Sequence, residues 1–600
     1  MTILEEIAVS EQIKTLCTSV KKPGRVSALF GVHKIHRTVT AAAFAMASCR
    51  PVIFVCDNDG DAYRAAEDMR SLGLSEVEAL PSREITLLDV EGISHDEEIA
   101  RLTALGKAAR GQLKVICCSV EALCLLTMPK KVYLDRGIVL EKGADEEIRS
   151  LCARLVSAGY TRCDRVEGRG QYAQRGGILD IFPVDRDFPV RIEFFDTEIE
   201  RISEFATDTQ RRTVDRVRCE IPPAREISLG EDAVALISAF LDKIPEGQLK
   251  HAVKRDLTDL RDGILPVCTD RYLSACYDTP ETVLDYLSDA VLFLAEPKEL
   301  EERFKSVMER YTFDMEALAA NGMYDTVLGT FFVDYQNEVS GRNRILCDVF
   351  PRSVGDVPLE AVVNFNSNAV PRWSGEVAVL KEDLQGYLYA GYRAVVLAGT
   401  DRAAKALCDD LVAEGIAAET GNEGFPPAGK VSVLKGMLSS GFEIAPLKLV
   451  LITSSNEAKP ARRVSQRAKR SSEAFGSLED LKKGDYVVHR NHGIGVFDGI
   501  NRIDHHGYVA DYIKIRYREG DTLYVPVTGL DMVSPYVSSK DDGKVVLDRL
   551  NSGEWQKTKQ KVYRSVREMA KELIELYAKR EKTEGIMFSE DTDWQRDFEL

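Results

Sequence analysis

Short apolar runs that alternate with helical patterns constrain the fold of this chain more than any other feature. Ser27–Phe30, Pro51–Val55 and Leu113–Cys118 are almost continuously apolar, which is typical of strands buried on both faces. Asp61–Leu72, which lies between them, has the pattern of a helix. Because strands separated by helices form parallel sheets, residues 1–128 are predicted to form an α/β domain with a nucleotide-binding-type layout.

A chain of 600 residues is expected to hold several domains, and the patterns predict a multidomain α/β protein. Changes in pattern divide it into an α/β part at 1–128, strands and hairpins at 129–213, α/β and helical patterns at 214–335, a further α/β domain at 345–455, a basic linker at 456–478, a small β module at 479–545 and a helical connector at 546–600. The linker is expected to be a solvated tether.

The formal net charge of −17 argues against general nucleic-acid binding, because phosphate contacts need clustered Lys and Arg. A protein partner fits this charge better. Thirteen scattered cysteines without a CxxC pair are typical of reduced thiols. Neither a signal peptide nor an apolar run long enough to cross a membrane is recognisable. We therefore expect a cytoplasmic protein that has no membrane contact, and we expect a monomer.

The segment Gly484–Val537 is predicted to form a small β module. Val509–Tyr517 alternates with the period of two expected of a half-buried strand, Arg518–Asp521 is a turn, and Thr522–Val525 returns from it. Four or five such strands with tight turns predict an SH3-like or Tudor-like barrel. The segment carries no catalytic constellation, so we expect it to dock onto another macromolecule.

Four of the chain's eight histidines lie in this module, and together they could suggest a metal site. No cysteine occurs after Cys408, however, and the spacing fits no zinc pattern. Histidines in turns and on the surface are the better explanation for His489, His492, His505 and His506.

The runs GDYVVHRNHGIG, DYIKIRY and LYVPV resemble the RNA-polymerase-interacting domain shared by the CarD regulators and the bacterial transcription-repair coupling factors. The resemblance implies that this module adds its sheet to the β subunit of RNA polymerase by strand addition. The strand in contact would be Gly499–Asp504, with Ile503 as its exposed apolar residue; the alternative for Ile503 is an ordinary core position. The implied polymerase-binding residues are Gly499, Asn501, Arg502, Ile503 and Asp504.

A degenerate phosphate loop follows the first predicted strand. A working loop has the pattern GxxxxGK followed by Ser or Thr, in which backbone amides and the Lys hold phosphates and the hydroxyl binds Mg²⁺. Gly31 and Thr38 are in register with this pattern, but His36 stands at the second glycine and Arg37 at the lysine. The next segment, Thr38–Ala47, is predicted to be helical. We expect no catalysis and no cofactor here, and the alternative is an ordinary strand-loop-helix connection.

Residues 160–205 contain a hairpin rich in Arg and Phe. Along its strand Val190–Phe195, one face carries Arg191, Glu193 and Phe195, and the other carries Ile192 and Phe194. If the second face meets the core, Phe195 is exposed beside a guanidinium, a composition typical of interface hot spots. The alternative is that Phe195 closes a small local core and that the charges form a solvated pair.

This hairpin resembles domain 2 of UvrB and, more closely, the matching domain of the coupling-factor family, whose surface binds UvrA. The resemblance implies a set of UvrA-binding residues, which are Arg162, Arg175, Arg191, Glu193, Phe194 and Phe195. UvrB has a further Arg at the position of Ala173, so part of its contact set is absent here.

The order of these features identifies the chain as a member of the transcription-repair coupling factor family, whose translocase motor we expect to follow the region where this sequence ends. Glu554–Glu584 is predicted to be a long helix, and the sequence ends mid-pattern at Leu600. Family resemblance implies that an intact protein binds RNA polymerase stalled at lesions, displaces it by ATP-driven translocation on double-stranded DNA and recruits UvrA. ATP and Mg²⁺ would belong to the motor. The alternatives are a UvrB-like excision-repair ATPase and a CarD-like transcription regulator.

Overall fold

A computed structural model describes most of the chain up to residue 453 and parts of the β module. The described residues are 2–87, 95–207, 209–230, 232–261, 265–266, 268–350, 358–365, 367–370, 372–373, 375, 377–420, 428–453, 482–489, 492–505, 508–526, 533–536, 547–549 and 555. Side chains are not described for the strand residues 369, 502–505, 508–511, 526 and 535 or for residue 519. The predicted basic linker, His506 and, apart from residue 555, the predicted C-terminal helix lie outside the described residues.

Strands occur along the whole described chain. Their bounds are β1 Val26–Phe30, β2 Val52–Cys56, β3 Val77–Leu80, β4 Val115–Ser119, β5 Ile138–Glu141, β6 Thr161–Arg162, β7 Gln171–Arg175, β8 Ile178–Ile181, β9 Val190–Phe195, β10 Glu198–Phe205, β11 Arg212–Arg216, β12 Arg218–Ile221, β13 Val291–Ala295, β14 Arg344–Cys347, β15 Leu359–Asn364, β16 Ser367–Val370, β17 Arg393–Ala398, β18 Ala418–Thr420, β19 Val431–Lys435, β20 Gly441–Ile444, β21 Leu449–Thr453, β22 Tyr486–His489, β23 Gly493–His505, β24 Tyr508–Arg516, β25 Thr522–Pro526 and β26 Val533–Pro535.

Helices separate the strands in the α/β parts of the chain. Their bounds are α1 Ile3–Ala8, α2 Glu11–Ser19, α3 Lys34–Ser48, α4 Asp59–Ser71, α5 Asp96–Ala109, α6 Val120–Cys124, α7 Lys130–Asp135, α8 Ile148–Ser157, α9 Ala233–Leu241, α10 Gln248–Arg261, α11 Leu273–Cys276, α12 Val283–Tyr286, α13 Pro297–Ala320, α14 Tyr335–Val339, α15 Val377–Tyr389 and α16 Asp401–Ala413. Among the described helices, none is long and apolar enough to cross a membrane.

The first sheet is parallel and has the strand order β15-β1-β14-β13-β2-β4-β3. Strands β1, β2 and β4 are buried along their whole length, as their continuous apolar sequences predict. The sequence patterns predict a separate α/β domain from residue 345, but β14 and β15 pair with β1 and complete this first sheet. Sequence could not place them, because an apolar run indicates a buried strand without indicating its partner.

The second sheet has the order β11-β10-β9-β8-β7-β6 and is antiparallel except for the pair β6 and β7. Its inner face carries Leu179, Ile192 and Ile202, which are fully buried in the core that continues into the first α/β part. Strands β5 and β12, which precede and follow these strands in the sequence, form a separate antiparallel pair. This architecture agrees with the strand and hairpin patterns of residues 129–213.

The third sheet has the order β16-β20-β21-β17-β19-β18. Its strands β21, β17, β19 and β18 are parallel, whereas β16 and β20 extend the edge in antiparallel fashion. Residues of its inner face, including Leu397, Phe442 and Leu451, share a core cluster with Ile35 and Phe44 of α3. The third sheet therefore packs against the helix that follows the degenerate phosphate loop.

The chain divides into two compact units, and the second holds most of the described part of the β module. Within the β module the strand order is β25-β24-β23-β22-β26. Ile513, Ile515 and Tyr517 are buried in its core, whereas Arg516 is exposed, so β24 has the alternation that its sequence predicts. A single turn of 3-10 helix, Arg518–Gly520, forms the predicted turn before β25.

Candidate protein-interaction sites

The degenerate phosphate loop is closed by backbone contacts. Gly31 has φ +70°, which a side chain would disfavour, and its N–H donates to the carbonyl of Val349 at 3.1 Å. The N–H of Val32 donates to the carbonyl of Asp348 at 3.4 Å. The hydroxyl of Ser367 donates to the Gly31 carbonyl at 2.5 Å. Two amides that could have faced a phosphate are thus used within the protein.

Helix α3 begins at Lys34, earlier than the predicted start at Thr38, so the side chains of the motif belong to a helix packed against protein. The Arg37 guanidinium donates to Glu296 Oε1 at 2.7 Å and to the Val32 carbonyl at 3.1 Å. The Thr38 hydroxyl donates back to the Lys34 carbonyl at 3.4 Å. The residues at the lysine and hydroxyl positions therefore do not fit a nucleotide with its Mg²⁺.

His36, which replaces the second glycine, is only 1% exposed. Its Nε2 lies 3.1 Å from the carbonyl oxygen of Glu443 in β20, an atom that can only accept a hydrogen bond. Burial lowers the pKa of His36 from 6.5 to about 4, although the hydrogen bond to Glu443 acts in the opposite direction. His36 therefore replaces a phosphate-binding position with a neutral contact between α3 and the third sheet.

The Arg and Phe hairpin has the predicted alternation of faces. Ile192 is fully buried, whereas Phe195 at the end of β9 is 73% exposed. Phe194 lies on the inner face and packs partly against the core. The alternative in which Phe195 closes a local core is excluded by this exposure, and its ring is available to a partner.

Strand register gathers part of the predicted UvrA-binding set on one face and separates the rest. Arg175 lies opposite Ile178, which lies opposite Glu193, so Arg175 shares the outer face with Glu193 and Phe195. Arg162 pairs with Tyr172 in the edge strand β6, and this register places it on the opposite face. The outer face thus unites Arg175, Arg191, Glu193 and Phe195, but neither Arg162 nor Phe194.

A buried carboxylate joins the two arginines of this face. Asp180 is 1% exposed, and its two oxygens accept from Nε and Nη2 of Arg191 at 2.7 Å and 2.9 Å. Oδ2 of Asp180 also accepts from Nη2 of Arg175 at 2.5 Å. Sequence analysis missed Asp180; the signal available was an acidic residue inside the apolar strand Ile178–Ile181.

Arg191 is held further by an aromatic ring. Its guanidinium carbon lies 4.5 Å from the centroid of the buried Phe205 ring, a favourable cation–π geometry. The hydrogen bonds to Asp180 raise the pKa of Arg191 further above the already high value of an arginine. Beside it, Glu193 forms an ion pair with Arg212 of β11. The face therefore presents ordered charges next to an exposed phenyl ring.

The predicted polymerase-binding strand is the second half of β23. Strand β22 pairs with Gly493–Val496 of β23. The next residue, Phe497, exchanges backbone hydrogen bonds with Gly484 and Asp485, which precede β22. Gly499 and Asn501 lie in the part of β23 that continues beyond these residues, whereas the side chains of Arg502, Ile503 and Asp504 are outside what the structure describes. Ile500, which sequence analysis did not single out, is an exposed apolar residue on the same stretch.

The histidines of the β module differ in part from the prediction. His489 is buried in β22 rather than exposed, and its ring centroid lies 4.9 Å from that of the partly buried His492. The surface assignment is therefore wrong for His489. In the described part of the chain, no three His, Cys, Asp or Glu side chains gather as a metal site requires.

Comparison with known proteins gives one matching family model for each of the two regions that hold the candidate sites. Residues 138–227 match the family model of the UvrB interaction domain, and residues 481–537 match that of the CarD-like/TRCF RID domain. The chain is 30% identical over 617 aligned positions to the transcription-repair-coupling factor of Bacillus subtilis (strain 168), an alignment that covers 99% of this chain and 52% of that protein. The chain is related to the transcription-repair-coupling factors. The resemblance indicated by its motifs is thereby confirmed.

The transcription-repair-coupling factor of Staphylococcus aureus (strain MRSA252) is likewise 30% identical over 526 positions, which cover 84% of this chain and 44% of that protein. The chain thus spans about half the length of the curated coupling factors that it matches. The outer face of β9 lies within the matched UvrB interaction domain, and β23 lies within the matched RID domain.

Proposed function

We propose that this chain is a docking adaptor of transcription-coupled DNA repair that binds UvrA through the outer face of β9 and the β subunit of RNA polymerase through β23. The exposed Phe195 carries the first half of the proposal, because it shares the outer face with the two arginines bound to Asp180 within a matched UvrB interaction domain. An exposed aromatic ring next to ordered guanidinium groups has the composition of an interface hot spot. The contact would combine burial of that ring with charge-assisted hydrogen bonds.

The polymerase contact is proposed to be strand addition by a small barrel of the SH3-like or Tudor-like type. The part of β23 that starts at Gly499 continues beyond its pairing with β22, which supports an edge to which another strand adds. Main-chain hydrogen bonds would supply affinity, and Ile503 with its neighbours Asn501, Arg502 and Asp504 would supply specificity. Ile500 would present a second apolar side chain.

We further propose that the chain binds no ATP. Two observations support this. The amides of Gly31 and Val32 already donate to carbonyls of the protein, and Arg37 is paired with Glu296, so these groups are not available to bind a nucleotide. In the whole protein, ATP with Mg²⁺ would drive translocation on double-stranded DNA and displacement of stalled polymerase. That activity would belong to a separate motor and would not involve the degenerate phosphate loop.

Two binding measurements with the purified 600-residue chain test the adaptor. Wild-type chain is expected to bind UvrA and, separately, RNA polymerase. Arg191→Ala combined with Phe195→Ala is expected to abolish UvrA binding and to leave polymerase binding intact. Binding of polymerase without UvrA would favour a CarD-like regulator instead, and full UvrA binding by the double variant would refute the assigned face.

A further inference from the structure

The outer face of the second sheet places two cations on one buried anion. Arg191 lies directly opposite Asp180 in the pairing of β9 with β8, and Arg175 reaches the same carboxylate from β7. On the β7 side, the residue opposite Asp180 is Ala173, whose side chain is too short to compete for the carboxylate. Two guanidinium groups thus share one carboxylate, and the three side chains together carry a net positive charge.

The two arginines are not equally accessible. Half of the Arg175 side chain is exposed, compared with 13% for Arg191. Arg191 donates hydrogen bonds from Nε and Nη2 to Asp180, and its guanidinium lies over the Phe205 ring. Among the described residues, Arg175 donates only through Nη2, so its remaining N–H groups are left for a ligand.

We propose that Asp180 is a positioning residue for UvrA binding, which holds Arg175 beside Arg191 so that Arg175 receives a carboxylate of the partner next to Phe195. The inference rests on the proposed UvrA contact. A guanidinium with one N–H group fixed loses less conformational freedom when it forms a paired hydrogen bond with a carboxylate. Without Asp180, the exposed Arg175 side chain would have to be ordered at the moment of binding.

A double-mutant cycle distinguishes positioning from simple structural support. UvrA affinity is measured for the 600-residue chain as wild type, Asp180→Asn, Arg175→Ala and the double variant. Arg175→Ala is expected to weaken binding about tenfold in the wild-type background but less than about threefold with Asp180→Asn, because the two residues act as a unit. If Asp180 only supports the fold, Arg175→Ala weakens binding by the same factor in both backgrounds, and the proposal is overturned.

A matched control is present on the same sheet. Asp215 of β11 accepts from Nε and Nη2 of Arg201 at 2.9 Å and 2.8 Å, but this pair is exposed. Asp215→Asn removes the same charge and is expected to leave UvrA affinity within about twofold of wild type, as exposed pairs contribute little. A loss equal to that of Asp180→Asn would show a general charge effect and would contradict positioning.

Arg175→Lys keeps the test decisive if Asp180→Asn does not fold. Half of the Arg175 side chain lies in solvent, so this change leaves the core intact. An ammonium group has the same charge but cannot span Asp180 and a partner carboxylate with a planar fork, so affinity is expected to fall about tenfold. Full binding by Arg175→Lys would overturn the proposal, whereas no UvrA binding by the wild-type chain would refute the proposed function itself.

Discussion

Phe195→Ala separates binding from folding more sharply than any other change on the proposed UvrA face. The ring is 73% exposed, so only about a quarter of roughly 200 Å² contributes to folding, which corresponds to about 1 kcal/mol. A partner that covers the remaining ~150 Å² would gain about 3–4 kcal/mol from it. We therefore expect an affinity loss of about 100-fold or more with little change in the free energy of unfolding.

The assay is titration calorimetry with UvrA, combined with a urea unfolding curve for each variant. Phe188→Ala is the matched control, because Phe188 is 51% exposed in the segment before β9, at the far end of the strand from Phe195. It is expected to bind UvrA as the wild type does. Equal affinity of Phe195→Ala and wild type, or equal losses for both variants, would refute the reasoning.

Three further results are expected from the other sites. Ile503→Arg should abolish binding to the polymerase β subunit while the chain still binds UvrA; unchanged polymerase binding would contradict the strand-addition contact. His36→Gln should remove a pH dependence of the unfolding free energy, because a folded pKa of about 4 against 6.5 gives a stability contribution of about 3 kcal/mol that is complete above pH 6.5 and is lost as the pH falls toward 4. Equal pH profiles of the two proteins would show that His36 is not buried in neutral form. His36→Gly with Arg37→Lys should still bind no ATP at millimolar concentration, because the Gly31 amide is already bonded to Val349; equilibrium dialysis that detects binding would show that the side chains alone closed the loop.

Local patterns of the sequence predicted individual elements well. Continuous apolar runs identified β1, β2 and β4. The period of two along Val190–Phe195 separated the face of Ile192 from the face of Phe195, and the structure shows that the first is buried and the second exposed. These predictions succeed because burial on one or both faces is set by neighbouring residues of the same strand.

Contacts between distant segments were beyond the sequence. The addition of β14 and β15 to the first sheet depends on pairing with β1, hundreds of residues earlier, and no local signal specifies that partner. The same is true of Asp180, whose role becomes visible only when the register places it opposite Arg191. His489 was assigned to turns or the surface together with the other histidines of the module, because their spacing fits no zinc pattern, whereas the packed module buries it.

The central claim is that one chain holds two independent docking sites. Mass photometry of the 600-residue chain mixed with UvrA and RNA polymerase tests it most directly. The claim requires a ternary species that Phe195→Ala reduces to the polymerase complex and Ile503→Arg reduces to the UvrA complex. Two binary complexes without a ternary species, or a single substitution that removes both partners, would contradict it.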